Sequence, residues 1–116
     1  KKALNGAKVL VIGIAYKQDI DDYRESPALK VIEKFELNGA LVDFYDPFIR
    51  EYKYNNQIKK GIAFINKNII NEYDIVVITT SHTSIDYDMI AENAKAIFDT
   101  KNAMKDVKYR DKVELL

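Results

Sequence analysis

Two short runs constrain the fold more than any other feature. Lys8-Val9-Leu10-Val11-Ile12-Gly13 and Asp74-Ile75-Val76-Val77-Ile78-Thr79 each hold consecutive apolar residues, Val9 to Ile12 and Ile75 to Ile78, and are rich in β-branched residues. Such runs are too short for helices, and they lack the alternation of a half-exposed strand. They read as strands buried on both faces, the pattern of a parallel sheet. A parallel sheet needs helical crossovers, and the sequence supplies one directly. Ser26-Pro27 has the chemistry of a helix start, with a serine cap and proline at the first helical position. Ala28, Val31, Ile32 and Phe35 then recur at helical spacing, and Asn38-Gly39 supplies the stop. Leu41 to Tyr45 forms the next strand, closed by Asp46-Pro47. Strand, loop, helix and strand make a βαβ unit.

The rest of the chain repeats this alternation. A short strand is expected over Ile62 to Ile65, a short helix over Lys67 to Glu72, and the DIVVIT strand over Asp74 to Thr79. A helix over Asp86 to Asn93 follows, with Met89 and Ile90 turned inward. Then come a strand over Ala96 to Asp99 and an edge strand within Lys112 to Leu116. The polar and aromatic stretch from Phe48 to Lys60 yields no assignment. A length of 116 residues suits one domain. The prediction is an α/β fold: a three-layer, Rossmann-like open parallel sheet.

Ligands of such sheets bind beyond the carboxyl ends of the strands. Those ends are Gly13 to Arg24, Asp46-Pro47, Thr79 to Thr83 and Asp99 to Asn102, where polar residues concentrate. Gly6, Gly13, Gly39 and Gly61 are the only glycines, so no glycine-rich turn follows the first strand to cradle a dinucleotide. Cationic side chains must hold any phosphate instead. Lys17, Arg24, Lys101 and the helix start at Ser26-Pro27 would suit a diphosphate. On spacing alone, Lys17 and Arg24 could equally serve to neutralise Asp19, Asp21, Asp22 and Glu25.

The acidic run also raises a Mg²⁺ site or a phosphorylatable receiver domain. Its acids come late after the first strand, and the DIVVIT strand ends in Thr79-Thr80-Ser81 without an aspartate, which argues against a receiver. His82 reads as a loop histidine without a catalytic role, and Asp46 as a turn residue in preference to a ribose ligand. Tyr45, Tyr52, Tyr54 and Tyr73 read as half-buried packing residues.

Composition narrows the classes further. Lys plus Arg and Asp plus Glu both number 18, without the basic excess of a nucleic-acid binder. Cysteine is absent and His82 is the single histidine, so thiolate sites and multi-histidine metal sites within this chain are excluded. No apolar run approaches the roughly 20 residues of a membrane span.

The stretch Gly13-Ile14-Ala15-Tyr16-Lys17, followed by Asp21-Asp22-Tyr23-Arg24-Glu25-Ser26-Pro27-Ala28, resembles the C-terminal domain of the UDP-glucose and GDP-mannose dehydrogenase family. Val42 to Pro47, Asp74 to Thr79 and Phe98-Asp99-Thr100-Lys101-Asn102 match the family in the same order. The resemblance implies one C-terminal nucleotide-sugar-binding domain over residues 1–116 of a longer enzyme, and the absence of cysteine fits a cytoplasmic location. That enzyme would oxidise the 6-hydroxymethyl of a nucleotide sugar to a carboxylate with NAD, through a cysteine-bound thiohemiacetal and thioester. The cysteine and the NAD fingerprint would lie in an upstream domain of the same chain.

On the same resemblance, Lys17 contacts the UDP-sugar substrate and Arg24 reaches the cofactor NAD. Lys101 stands where the family usually has a substrate-binding arginine; lysine keeps the charge but loses the planar fork. No catalytic residue is implied within this segment. The wording of the first motif is most similar to members acting on UDP-N-acetylglucosamine or UDP-N-acetylmannosamine. The family also implies a homo-oligomer; the balanced charge and the lack of a long apolar run point to neither nucleic acid nor membrane as partner. The rival reading is a free-standing nucleotide-binding or regulatory module without redox activity.

Overall fold

The computed structural model describes residues 5–101 and the backbone of Val113–Leu115. The first apolar run forms β1 (Lys8–Ile12), which is joined through α1 (Pro27–Leu37) to β2 (Leu41–Tyr45). β1 lies between β2 and β5 (Ile75–Ile78), parallel to both, so it is flanked on each side by a strand and has no free edge. Its residues are apolar on both faces because a helical layer covers each face of the sheet. Val9 and Val11 point to one layer and Leu10 and Ile12 to the other.

α1 begins as its sequence demands. Ser26 caps it by accepting from the Ala28 N–H at 3.2 Å, with Pro27 at the first turn. Its inner face, Ala28, Leu29 and Ile32, packs on Val9, Val11, Val42 and Phe44. On the opposite face, α2 (Lys67–Asn71) and α3 (Tyr87–Asn93) bury Ile70, Ile90 and Ala91 against Leu10, Ile12, Val76 and Ile78. Asn66 and Asp86 cap these two helices through their side-chain oxygens. β6 (Ile97–Asp99) and β7 (Val113–Leu115) extend the sheet in parallel, giving the order β2-β1-β5-β6-β7. Helices on both faces of an open parallel sheet are the expected three-layer α/β architecture. The edge strand falls inside the expected stretch, whose end residues Lys112 and Leu116 lie outside the described residues.

Two segments differ from expectation. Residues 48–60 contain an antiparallel hairpin, β3 (Glu51–Tyr54) and β4 (Gln57–Lys60). Asn55 and Asn56 turn it with φ of 52° and 63°. Paired left-handed residues are what a two-residue hairpin with the native twist requires, and asparagine tolerates them. The hairpin folds onto the α1 layer through Tyr52, whose ring centroid lies 5.3 Å from that of Phe44. Ile62 to Ile65, expected as a strand, is irregular. Its Ile62 N–H is taken by the Phe44 carbonyl at 2.9 Å, but no ladder follows. Ile62 and Ile65 are apolar because they pack against the α2–α3 layer, which a short apolar run cannot distinguish from strand burial.

Candidate functional site

Strand order reverses at β1. The chain steps from β1 to β2 on one side and later returns to β5 on the other. The carboxyl ends of β1 and β5 meet at this switch point, the place where open α/β sheets bind ligands. The loop from Gly13 to Ser26 and the segment Thr79 to Ile85 leave the sheet there.

Gly13 marks the exit from β1. Its φ is +83°, and a Cβ there would stand 2.3 Å from the Thr80 carbonyl oxygen. The glycine thus serves close approach of two strand ends, not phosphate cradling. Thr79 Oγ1 donates to the Gly13 carbonyl, and Thr80 Oγ1 donates to the Ala15 carbonyl at 2.6 Å.

Below the loop lies a buried polar knot. Asp46 Oδ2 accepts from the N–H groups of Ile14 at 2.8 Å and Ala15 at 3.1 Å, and lies 2.9 Å from His82 Nε2. Asp46 Oδ1 accepts from the N–H groups of Phe48 at 2.8 Å and Ile49 at 3.2 Å. Burial by itself raises the Asp46 carboxyl, but the bonds from His82, Phe48 and Ile14 outweigh it and hold the group below the ordinary carboxylate range. His82 is 0% exposed. Its Nδ1 faces the Asp19 N–H at 2.7 Å and must accept, so Nε2 carries the hydrogen and donates to Asp46. Asp19 closes the circuit by accepting from Thr83 N–H at 2.8 Å and Thr83 Oγ1 at 2.9 Å. Those bonds, the backbone one foremost, lower the Asp19 carboxyl.

The predicted residues sit on this frame as follows. Lys17 is exposed on the loop between the anchored Ala15 and Asp19, with its ammonium 6.0 Å from the centre of the Tyr16 ring. Arg24 is on the same loop, 83% exposed, and grips Asp22 side-on through Nε at 3.1 Å and Nη2 at 3.0 Å. The pair raises the guanidinium and lowers the Asp22 carboxyl. Neutralisation by Asp22 therefore applies to Arg24. Lys101 follows β6 and is exposed, its N–H donating to Asp99 Oδ1 at 3.0 Å. β5 separates β1 from β6, so the backbone exits bearing Lys17 and Lys101 are about 10 Å apart, two strand spacings. All three cations share the carboxyl edge of the sheet.

Asp46 sits at the turn after β2, its carboxylate bonded to four backbone N–H groups and to His82. The acidic run does not converge on one point, since Asp19 bonds Thr83 and Asp22 bonds Arg24. Tyr52 and Tyr73 are buried, with the Tyr73 hydroxyl donating to Asp43 at 2.7 Å, so these tyrosines pack. Sequence reasoning missed the Asp46–His82–Asp19 circuit. Its signal was positional: Asp46 follows β2 and His82 follows β5, the strands that flank β1 on either side.

The fold and edge chemistry define an open parallel α/β domain that carries its cations on loops, without a glycine-rich phosphate turn. Residues 10–106 match the UDP binding domain of the UDP-glucose/GDP-mannose dehydrogenase family, and the chain belongs to that family. The UDP-N-acetyl-D-mannosamine dehydrogenase of Methanocaldococcus jannaschii is 34% identical over 106 residues, covering 84% of this chain and 23% of that protein. The enzyme of the same name from Methanococcus maripaludis is 31% identical over 113 residues, covering 90% of this chain and 25% of its own length. The solved structure of a UDP-D-ManNAc dehydrogenase from Pyrococcus horikoshii superposes with a TM-score of 0.72 at 26% identity, covering 97% of this chain and 26% of that one. The chain spans about a quarter of the length of these relatives.

Among the described residues, no helix is long and apolar enough to cross a membrane.

Proposed function

We propose that this chain is the C-terminal UDP-sugar-binding domain of an NAD-dependent nucleotide-sugar 6-dehydrogenase, with UDP-N-acetylmannosamine as substrate. The observation that carries the reading is the Gly13–Ser26 loop. It bears the family motif, stands at the switch point of the sheet, and presents Lys17 and Arg24 to solvent from an anchored backbone. The names of the relatives at 31–34% identity support an N-acetylmannosamine sugar.

In this reading Lys17 and Lys101 hold the anionic UDP-sugar from two loops of one sheet edge. Lysine at position 101 supplies charge without the bidentate fork of arginine, so it fixes the ligand's position less tightly. Arg24 keeps Nη1 and part of Nη2 free beyond its bonds to Asp22, which fits one contact to the cofactor from the side of this domain. Nothing at the β1 exit fits a full dinucleotide cradle, because Gly13 is closed against Thr80. Bound NAD would supply the hydride acceptor for each oxidation. The chain contains no cysteine, so the nucleophile belongs to an upstream domain that closes over this edge. A cytoplasmic homo-oligomer completes the proposal.

The test is NADH formation by the full-length protein with NAD⁺ and, separately, UDP-N-acetylmannosamine, UDP-N-acetylglucosamine, UDP-glucose and GDP-mannose. Turnover with UDP-N-acetylmannosamine above the others is expected. Turnover with a different sugar would correct the substrate, and none with any would leave a nucleotide-binding module without redox activity.

A further inference from the structure

His82 is buried, yet one of its two nitrogens serves the ligand-facing loop and not the core. Nε2 donates inward to Asp46, which also ties down the β1 exit and the start of the β2–β3 connection. Nδ1 accepts from the Asp19 N–H at 2.7 Å, in the middle of the loop. Asp19 has φ of 63°, a left-handed conformation that a non-glycine residue holds only when its surroundings impose it. Those surroundings are reciprocal. The Asp19 carboxylate accepts two bonds from Thr83, the residue after His82.

The ring itself is fixed. Phe48 packs on it at 5.0 Å between centroids, and Tyr87 donates to the His82 carbonyl at 2.7 Å. On the near side Ala15 is pinned through its N–H by Asp46 and through its carbonyl by Thr80. Only Tyr16, Lys17 and Gln18 lie between the two anchors.

We infer that His82 is a positioning residue for the ligand site: its Nδ1 lone pair sets the loop that presents Lys17, while its Nε2–H serves the fold. This inference rests on the reading of Lys17 as a substrate contact. The two nitrogens can be separated chemically. Asparagine offers an acceptor oxygen near the place of Nδ1 but cannot reach Asp46. Glutamine offers a donor near the place of Nε2 but leaves the Asp19 N–H without its acceptor.

The experiment uses the full-length protein with His82→Asn, His82→Gln, Thr83→Val and, as a control for stability alone, Tyr73→Phe, which removes the bond to Asp43. His82→Gln should raise KM for UDP-N-acetylmannosamine by about ten-fold, the scale of one lost buried hydrogen bond, with kcat changed less. His82→Asn should raise KM by a smaller factor while lowering the melting temperature more. Thr83→Val loosens the clamp from the exposed side without disturbing the buried ring, and should raise KM by about three-fold. Tyr73→Phe should lower the melting temperature and leave KM unchanged.

Equal KM in the two His82 variants, or KM that follows melting temperature across all four variants, would overturn the inference. Hydrogen exchange at residues 16–22 keeps it separate from the proposed function. If the wild-type protein oxidises no nucleotide sugar, that reading falls. Faster loop exchange in His82→Gln than in His82→Asn would still uphold the positioning role, and equal exchange would overturn it.

Discussion

Replacing Asp46 by asparagine tests whether the buried carboxylate organises the ligand edge. The change is nearly isosteric, but one oxygen becomes an NH₂ donor. If the NH₂ takes the place of Oδ2, it confronts Ile14, Ala15 and His82. If it takes the place of Oδ1, it confronts only Phe48 and Ile49, so this is the cheaper arrangement. Two backbone donors are then orphaned, each costing about 1–3 kcal/mol. Relief of the carboxylate's own burial cost offsets part of this, leaving a net loss of about 2–4 kcal/mol. At about 2.1 cal/mol/K of unfolding entropy per residue, that lowers the melting temperature by roughly 8–16 °C.

The same variant carries a pH signature. The folded Asp46 carboxyl lies below its ordinary value. Its contribution is therefore present above the unfolded pKa of about 4 and is lost as pH falls through the lowered folded value. Asp19 is lowered in the same sense, so the wild-type protein should lose stability in acid through both carboxylates. Asp46→Asn should make that acid limb shallower without abolishing it. Urea unfolding of both proteins from pH 7 down to pH 3 measures both effects. A loss below about 1 kcal/mol, or an acid limb as steep as wild type, would refute the reasoning.

Three further substitutions address the edge itself. Lys17→Ala in the full-length protein should raise KM for the UDP-sugar, because a cation facing an anionic ligand is removed; an unchanged KM would end that assignment. Arg24→Ala should weaken NAD more than the sugar nucleotide and leave thermal stability unchanged, since its pair with Asp22 is solvent-exposed. A loss of sugar-nucleotide affinity alone would exchange the two roles. Gly13→Ala puts a methyl 2.3 Å from the Thr80 carbonyl at a positive φ, and should cost about 3 kcal/mol or more in denaturant unfolding. A neutral result would mean that the strand exits relax apart.

The layers of this fold were legible because the apolar runs at Lys8–Ile12 and Ile75–Ile78 are interior strands, whose sequences carry burial on both faces. The cap at Ser26-Pro27 and the stop at Asn38-Gly39 were legible because they act within one turn of chain. The hairpin was hidden because β3 and β4 are largely polar and solvent-facing, and because Asn55-Asn56 is a weaker turn signal than Asn-Gly. The exposed cations at the strand exits could be named, since charge at a strand exit is a local property. Their support could not. Asp46 and His82 lie 36 residues apart, and His82 and Asp19 lie 63 apart. Only the order β2-β1-β5 brings them under one loop. Read alone, a single histidine has no partner; in the fold it has two.

On the proposed function, this segment belongs to an enzyme that carries a hydroxymethyl group through to a carboxylate. The most direct test is the stoichiometry of NADH formed by the full-length protein when UDP-N-acetylmannosamine is limiting and NAD⁺ is in excess. Each NAD⁺ takes up one hydride, so the four-electron oxidation predicts about two NADH per sugar consumed. About one NADH per sugar would mean that the reaction stops at the aldehyde, and none from the folded protein would contradict the dehydrogenase account altogether.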